Sequence, residues 1–180
     1  MSSLRDHLLR TLASVPVDSR ILDLECADGA RTVALAQLGF DVHATASRTE
    51  DAVRTQQALD AALSPANTGG ITTVDRAITA APRALGYPDG FFDWVVAVGS
   101  YDAIPTEKLA DALAETRRVL KPGGWAFVAV RDGADVSPEW LTYRLEAARF
   151  AVAEKARRDE DAAGPMVRGI FRKVERDVIG

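Results

Sequence analysis

Two stretches of this chain carry residues whose types and spacing could do chemistry. The first is Ile21-Leu22-Asp23-Leu24-Glu25-Cys26-Ala27-Asp28-Gly29, an apolar run holding one acid that breaks into a turn of small and acidic residues. A turn ending in glycine lets a ligand approach the backbone closely. Asp23 reads either as a cap for the next helix or as part of a ligand loop, and its context favours the loop. Cys26 reads as a packing residue rather than a reactive thiol. The second stretch follows the apolar run Phe92–Val98 and holds Tyr101 and Asp102. A phenol and a carboxylate just beyond a strand are candidates for substrate contact or for a general base. An ordinary polar loop before Pro105 is an equal alternative. Metal chemistry is not expected, because two histidines (His7 and His43) and one cysteine do not make a ligand set at usual spacings. His43 reads as structural or surface, Asp93 as capping or orienting its strand, and Trp94, Trp125 and Trp140 as core.

The elements that must position these residues alternate along the chain. Leu4, Leu8, Leu9 and Leu12 recur at helical spacing, so residues 4–13 predict an amphipathic helix. Arg20–Leu24 predicts a strand, 30–38 a helix closed by Gly39, and 40–45 a second strand. A helix over 49–63 is expected with Thr49 as N-cap. Ser64–Gly70 reads as a loop and Ile71–Val74 as a short third strand, followed by an irregular Ala/Pro stretch and a Tyr87-Pro88-Asp89-Gly90 turn. Phe92–Val98 is the most apolar strand, as for a strand buried on both faces. Thr106 is expected to cap a helix over 107–119, and Lys121-Pro122-Gly123-Gly124 reads as a turn into a fifth strand, Trp125–Val130. Ser137-Pro138-Glu139 opens a helix to about residue 148. Two last strands, about 150–156 and 166–174, are expected to form a hairpin around an acidic turn. This alternation predicts a mostly parallel, doubly wound α/β sheet in one domain over residues 1–180, with no repeat and no dividing linker.

The bulk numbers suit such a domain. The 180 residues are 47% hydrophobic and 27% charged, which excludes a disordered chain. The net charge of -4 gives no electrostatic reason to expect nucleic-acid binding. The clearest basic pair, Arg157 and Arg158, runs straight into Asp159, Glu160 and Asp161 and reads as a solvated turn. One cysteine excludes an intrachain disulfide. No apolar run is long enough for a membrane span and the N-terminus has no signal-peptide core, so no membrane association and a cytoplasmic location are expected.

Three motifs together resemble the class I S-adenosylmethionine-dependent methyltransferases. Residues 21–29 are similar to the glycine loop LDLGCGxG. Phe91-Phe92-Asp93-Trp94-Val95-Val96 resembles the fourth strand, and Arg117-Arg118-Val119-Leu120-Lys121-Pro122-Gly123-Gly124 is close to the turn RVLKPGG. Their order and spacing extend the likeness over roughly residues 4–174. The resemblance implies a Rossmann-like, three-layer α/β/α fold with seven strands, mostly parallel with an antiparallel last strand. With about twenty residues ahead of the first strand, a lid over the site would be absent or supplied by another chain.

The resemblance also implies S-adenosylmethionine as cofactor, with Asp23, Glu25, Cys26, Ala27, Gly29, Ala46, Ser47, Asp75 and Gly99 around it and Tyr101 and Asp102 toward the acceptor. Glu25 and Ala27 stand where the family has its first two loop glycines, and Gly29 is the third. Ala46 falls where the family has its ribose-binding acid. The acid near the adenine aligns to Asp75 by strand position or to Ala81 by counting back from Phe92-Asp93, and Asp75 is the preferred match. Glu25 is expected to project into the groove, either blocking it or gripping the ligand's amino group. The leading expectation is methyl transfer to a small-molecule acceptor. The alternative is a methyltransferase fold that serves as a non-catalytic binding or partner module. A dehydrogenase is disfavoured, because no closely spaced GxGxxG is present.

Overall fold

The computed structural model describes residues 3–63, 73–76 (backbone only), 85–161 and 164–175. Its helices are α1 (Leu4–Leu12), α2 (Ala30–Gln37), α3 (Thr49–Ala62), α4 (Thr106–Val119) and α5 (Pro138–Ala147). Its strands are β1 (Arg20–Leu24), β2 (Asp41–Ala46), β3 (Thr73–Arg76), β4 (Phe92–Val98), β5 (Leu120–Arg131), β6 (Phe150–Asp161) and β7 (Gly164–Lys173). They form one sheet in the order β3-β2-β1-β4-β5-β7-β6. β1 pairs in parallel with both β2 and β4, so the strand order reverses between β1 and β4. β7 is antiparallel to both its neighbours. The expected 64–70 loop, the start of the third strand at Ile71-Thr72 and most of the Ala/Pro stretch lie outside the described residues.

Both faces of the sheet are covered, which is why β1 and β4 read as nearly unbroken apolar runs. On one face Leu4, Leu8 and Leu12 of α1, Leu35 of α2 and Leu59 of α3 pack on Ile21, Val42, Val96 and Phe127. On the other, Leu109 and Leu113 of α4 and Leu141 and Leu145 of α5 pack on Leu22, Val95, Val128 and Phe171. Trp94 is buried and stacks on Trp125, with ring centroids 5.6 Å apart. Trp125 and Trp140 are half-buried at the core's margin, less enclosed than expected.

Helix starts follow local hydrogen bonding. Ser3 and Asp6 form a reciprocal capping box on α1. The Ser137 hydroxyl accepts the Trp140 N–H at 3.1 Å on α5. At α3 the N-cap is Arg48 rather than Thr49, and at α4 it is Pro105 rather than Thr106, neither with a side-chain cap bond.

The RVLKPGG motif is structural. Arg118 binds Glu115 and Asp89 and donates to the Tyr87 carbonyl. Lys121 reaches Asp93 at 2.7 Å, and the other Asp93 oxygen accepts the Arg20 N–H. Asp93 therefore orients its strand, as expected, by tying β4 to β1 and β5. Lys121–Gly124 does not form a separate turn. It belongs to β5, with a register shift opposite Phe92 and Trp94. A Cβ on Gly124 would lie 2.9 Å from the Lys121 carbonyl oxygen, which fixes glycine there.

The last hairpin is longer than expected. The acidic stretch after Arg157-Arg158 is strand, with Asp159 opposite Met166 and Asp161 opposite Gly164. The cause is Arg168 of β7, fully buried, which binds Asp159 at 2.8 Å and Glu154 at 2.7 Å. Those acids are cross-strand partners for a buried cation, and Arg158 pairs with Asp132 at 2.8 Å. His7 of α1 lies 3.2 Å from Glu154, and its pKa is lowered by burial first and by Arg168 second.

Candidate functional site

In an open α/β sheet the ligand crevice lies beyond the C-terminal strand ends, where strand order reverses. Here that place is the mouth between β1 and β4, bordered by residues 25–29, 45–48, 99–104 and 131–132.

The β1 loop is wound by three left-handed residues: Glu25 (φ 59), Ala27 (φ 51) and Gly29 (φ 81). The first two do without glycine by being held in place. The Glu25 N–H donates to Thr45 Oγ1 at 3.1 Å, and the Cys26 N–H donates to the Thr45 carbonyl at 2.8 Å. Holding a non-glycine residue there costs about 1–3 kcal/mol, and such residues gather at ligand sites. Gly29 has no such latitude, since a Cβ would fall 2.8 Å from Thr55 Cα. Its missing Cβ lets α3 pack directly against the loop at the start of α2. The loop therefore retains a cofactor-loop shape despite its altered side chains.

Asp23 does not point at a ligand. It is fully buried, with one carboxylate oxygen bound by Arg31 Nε at 2.6 Å and the other by Thr32 Oγ1 at 2.6 Å. Arg31 also donates to the Glu25 carbonyl at 3.0 Å, so one guanidinium fastens the strand end, the loop and the first turn of α2. Arg31, Thr45 and Ser100 were not singled out from the sequence. Ser100 is buried and donates to the Leu24 carbonyl, joining the loop after β4 to the end of β1 across the switch point.

Glu25 does project from the loop, but sideways. Its Oε2 accepts the Ser47 N–H at 2.9 Å, which carries the carboxylate to the end of β2. Ala46 faces the other way: it is 1% exposed and packs with Cys26 and Ala44. An acid placed at position 46 would therefore be enclosed in the fold. Ala46→Asp should destabilise by about 2–3 kcal/mol through an unsatisfied buried polar group, without tightening cofactor binding. Urea denaturation and calorimetric titration read the two effects. Cys26 is buried against Thr55, Sγ to Oγ1 3.2 Å, and burial pushes its thiol pKa up, in keeping with a packing role. Asp75 pairs in register with Thr45, which sets it beside the same strand end.

Beyond β4, Gly99 takes φ 70 and donates to the Ala129 carbonyl. Tyr101 and Asp102 part company here. Tyr101 is buried in the core under α4, with its hydroxyl 2.7 Å from Thr116 Oγ1, and burial pushes its pKa up to about 12. It is a core residue and not a group presented to an acceptor. Asp102 bridges the ends of β4 and β5: Oδ1 accepts the Arg131 N–H at 2.9 Å and Oδ2 lies 3.9 Å from Arg131 Nε. Burial raises its pKa, opposed by the Arg131 N–H and the Arg131 charge. The described residues contain no cluster of metal-ligating side chains and no helix long and apolar enough to cross a membrane.

Comparison with known proteins agrees with this geometry. A family model described as a methyltransferase domain matches residues 21–124, from β1 through the glycines of β5. No curated protein matches. Among solved structures, a SAM-dependent methyltransferase from Methanosarcina mazei superposes with a TM-score of 0.75 at 19% identity, covering 93% of this chain and 97% of that one. The Burkholderia thailandensis 1,6-didemethyltoxoflavin-N1-methyltransferase, solved with bound 1,6-didemethyltoxoflavin and S-adenosylhomocysteine, gives 0.72 at 15% identity, covering 95% and 76%. The [4+2]-cyclase SpnF gives 0.73 at 18% identity, covering 94% and 80%. At these identities the likenesses establish the fold, whereas the family match spans more than half of the chain. The chain belongs to the methyltransferase-domain family.

Proposed function

We propose that the chain transfers the methyl group of S-adenosylmethionine to a small-molecule acceptor held over the ends of β4 and β5. The observation that carries this reading is Asp102, a partly buried carboxylate fixed between those two strand ends. The loop fits the cofactor: residues 25–29 keep a left-handed course at the β1 end, with Gly29 seated against α3. When bound, the cofactor supplies an electrophilic methyl group. The chain's own work is then to bind, align and take up a proton. Ser100 keeps the β4 loop against β1, so the two halves of the crevice keep a fixed spacing. Alignment of donor and acceptor supplies most of the acceleration in such a displacement. Asp102 accepts the acceptor's proton.

The rim beyond β5 is charged, with Arg131, Asp132 and Arg158 along it, which favours a polar acceptor. The non-catalytic alternative drew on the altered loop residues. Their left-handed backbone preserves the loop's course and weakens that motive.

The test is calorimetric titration with S-adenosylhomocysteine, followed by a screen of small polar acceptors for acceptor-dependent release of S-adenosylhomocysteine. Saturable binding and turnover with at least one acceptor are expected. Absence of binding at about 1 mM, an affinity weaker than roughly -4 kcal/mol, would overturn the reading.

A further inference from the structure

Glu25 leaves the space over β1 and presents its carboxylate at the end of β2. We infer that Glu25 is the acceptor for the ribose diol of the cofactor, a role carried here by the β1 loop instead of by β2. The inference rests on the cofactor site proposed above and deepens it.

Doubly wound nucleotide sites place a carboxylate near the end of the second strand, where it accepts ribose hydroxyls. The β2 end of this chain cannot provide one. Ala46 has no acceptor and faces the interior, and the next residue, Ser47, has its N–H engaged by Glu25. Among the nearby acids whose side chains are described, the others are committed elsewhere. Asp28 caps the Ala30 N–H, Glu50 pairs with Arg48, and Asp51 lies between Arg48 and Arg54. Glu25 alone among them is aimed at the strand end.

It is also fixed there. Thr45 Oγ1 holds its N–H, Arg31 holds its carbonyl and the Ser47 N–H holds Oε2. These contacts keep the residue at φ 59, a conformation that persists for a non-glycine residue only when its surroundings impose it. A carboxylate offers about four acceptor positions. Among the described residues the Ser47 N–H is the one donor to this carboxylate, which leaves acceptor capacity for a cis-diol. The Ser47 bond sets the direction of the group, as a second anchor does for a ligand-binding side chain.

The test uses the full chain, S-adenosylhomocysteine and its 2′-deoxy analogue, all by calorimetry, with thermal unfolding as the control for folding. Glu25→Gln keeps the shape and an oxygen for Ser47 but removes the charge. It is expected to weaken S-adenosylhomocysteine binding about 10- to 100-fold. The unmodified chain should lose a similar factor with the deoxy analogue, and the Gln variant should bind the two ligands nearly alike. Glu25→Gly suits the left-handed backbone, so it should fold at least as well and still bind weakly. Unchanged or tighter binding by both variants would overturn the inference and leave the cofactor site standing, with Glu25 acting as a plug. Absence of binding by the unmodified chain would overturn the site and the inference together.

Discussion

Arg31→Met is expected to lower the unfolding free energy by about 3–5 kcal/mol, the cost of removing one partner from a buried ion pair. Asp23 is fully buried, and its nearest cation is the Arg31 guanidinium at 2.6 Å. Methionine fills much of the same volume but leaves the carboxylate with Thr32 alone. For a chain of this length about 1 kcal/mol moves the melting midpoint by roughly 2–4 °C, so the loss should be plain in both chemical and thermal denaturation. Combining Arg31→Met with Asp23→Asn should recover much of the loss, because the buried charge goes with its partner. An additive double variant would mean that the pair is not coupled. The same substitution frees the Glu25 carbonyl, so cofactor affinity should fall even where the variant remains folded.

Arg31 also marks where sequence reading stopped short. A cation in the first turn of a helix opposes the helix dipole, which favours acids there. Arg31 sits in that turn of α2 eight residues after Asp23, and that mismatch was the available signal for a partner. The sheet itself was legible, because strands buried on both faces are unbroken apolar runs and helices carry 3.6-residue periodicity. That same double burial hid the outcome at Ala46: on such a strand no polar alternation tells which face a residue takes. The last hairpin was misread for a related reason. Asp159 and Glu154 look like turn and surface residues until Arg168, on the next strand of the hairpin, is folded beneath them. Tyr101 and Asp102 are adjacent, and their opposite fates depend on Thr116 and Arg131, partners from other elements. The RVLKPGG motif, the most specific mark of the family, lies at the start of β5, at the opposite end of the sheet from the crevice. It identifies the fold and contributes no ligand.

Asp102→Asn is expected to lower methyl transfer about 10²- to 10⁴-fold, the range for loss of a general base. S-Adenosylhomocysteine affinity should stay nearly unchanged, since the carboxylate faces β5 and the acceptor side. The same variant should be more stable than the unmodified chain at neutral pH. Burial holds the Asp102 pKa above its unfolded value. Between those two values the folded chain keeps a proton that the unfolded chain has released, so this group's contribution to stability falls as pH rises through that window. Above the window the penalty is complete, and below it there is none. Asparagine carries no such penalty and still offers an oxygen to the Arg131 N–H. The stability advantage of Asp102→Asn should therefore be present at pH 7 and vanish on acidification below the usual carboxylate range. Activity of the unmodified chain should rise with pH through the same raised pKa, and the variant should lack that limb. A variant that loses activity without gaining neutral-pH stability would place Asp102 as an ordinary structural bridge between β4 and β5. One that gains stability and keeps its activity would move the proton acceptor elsewhere on the rim.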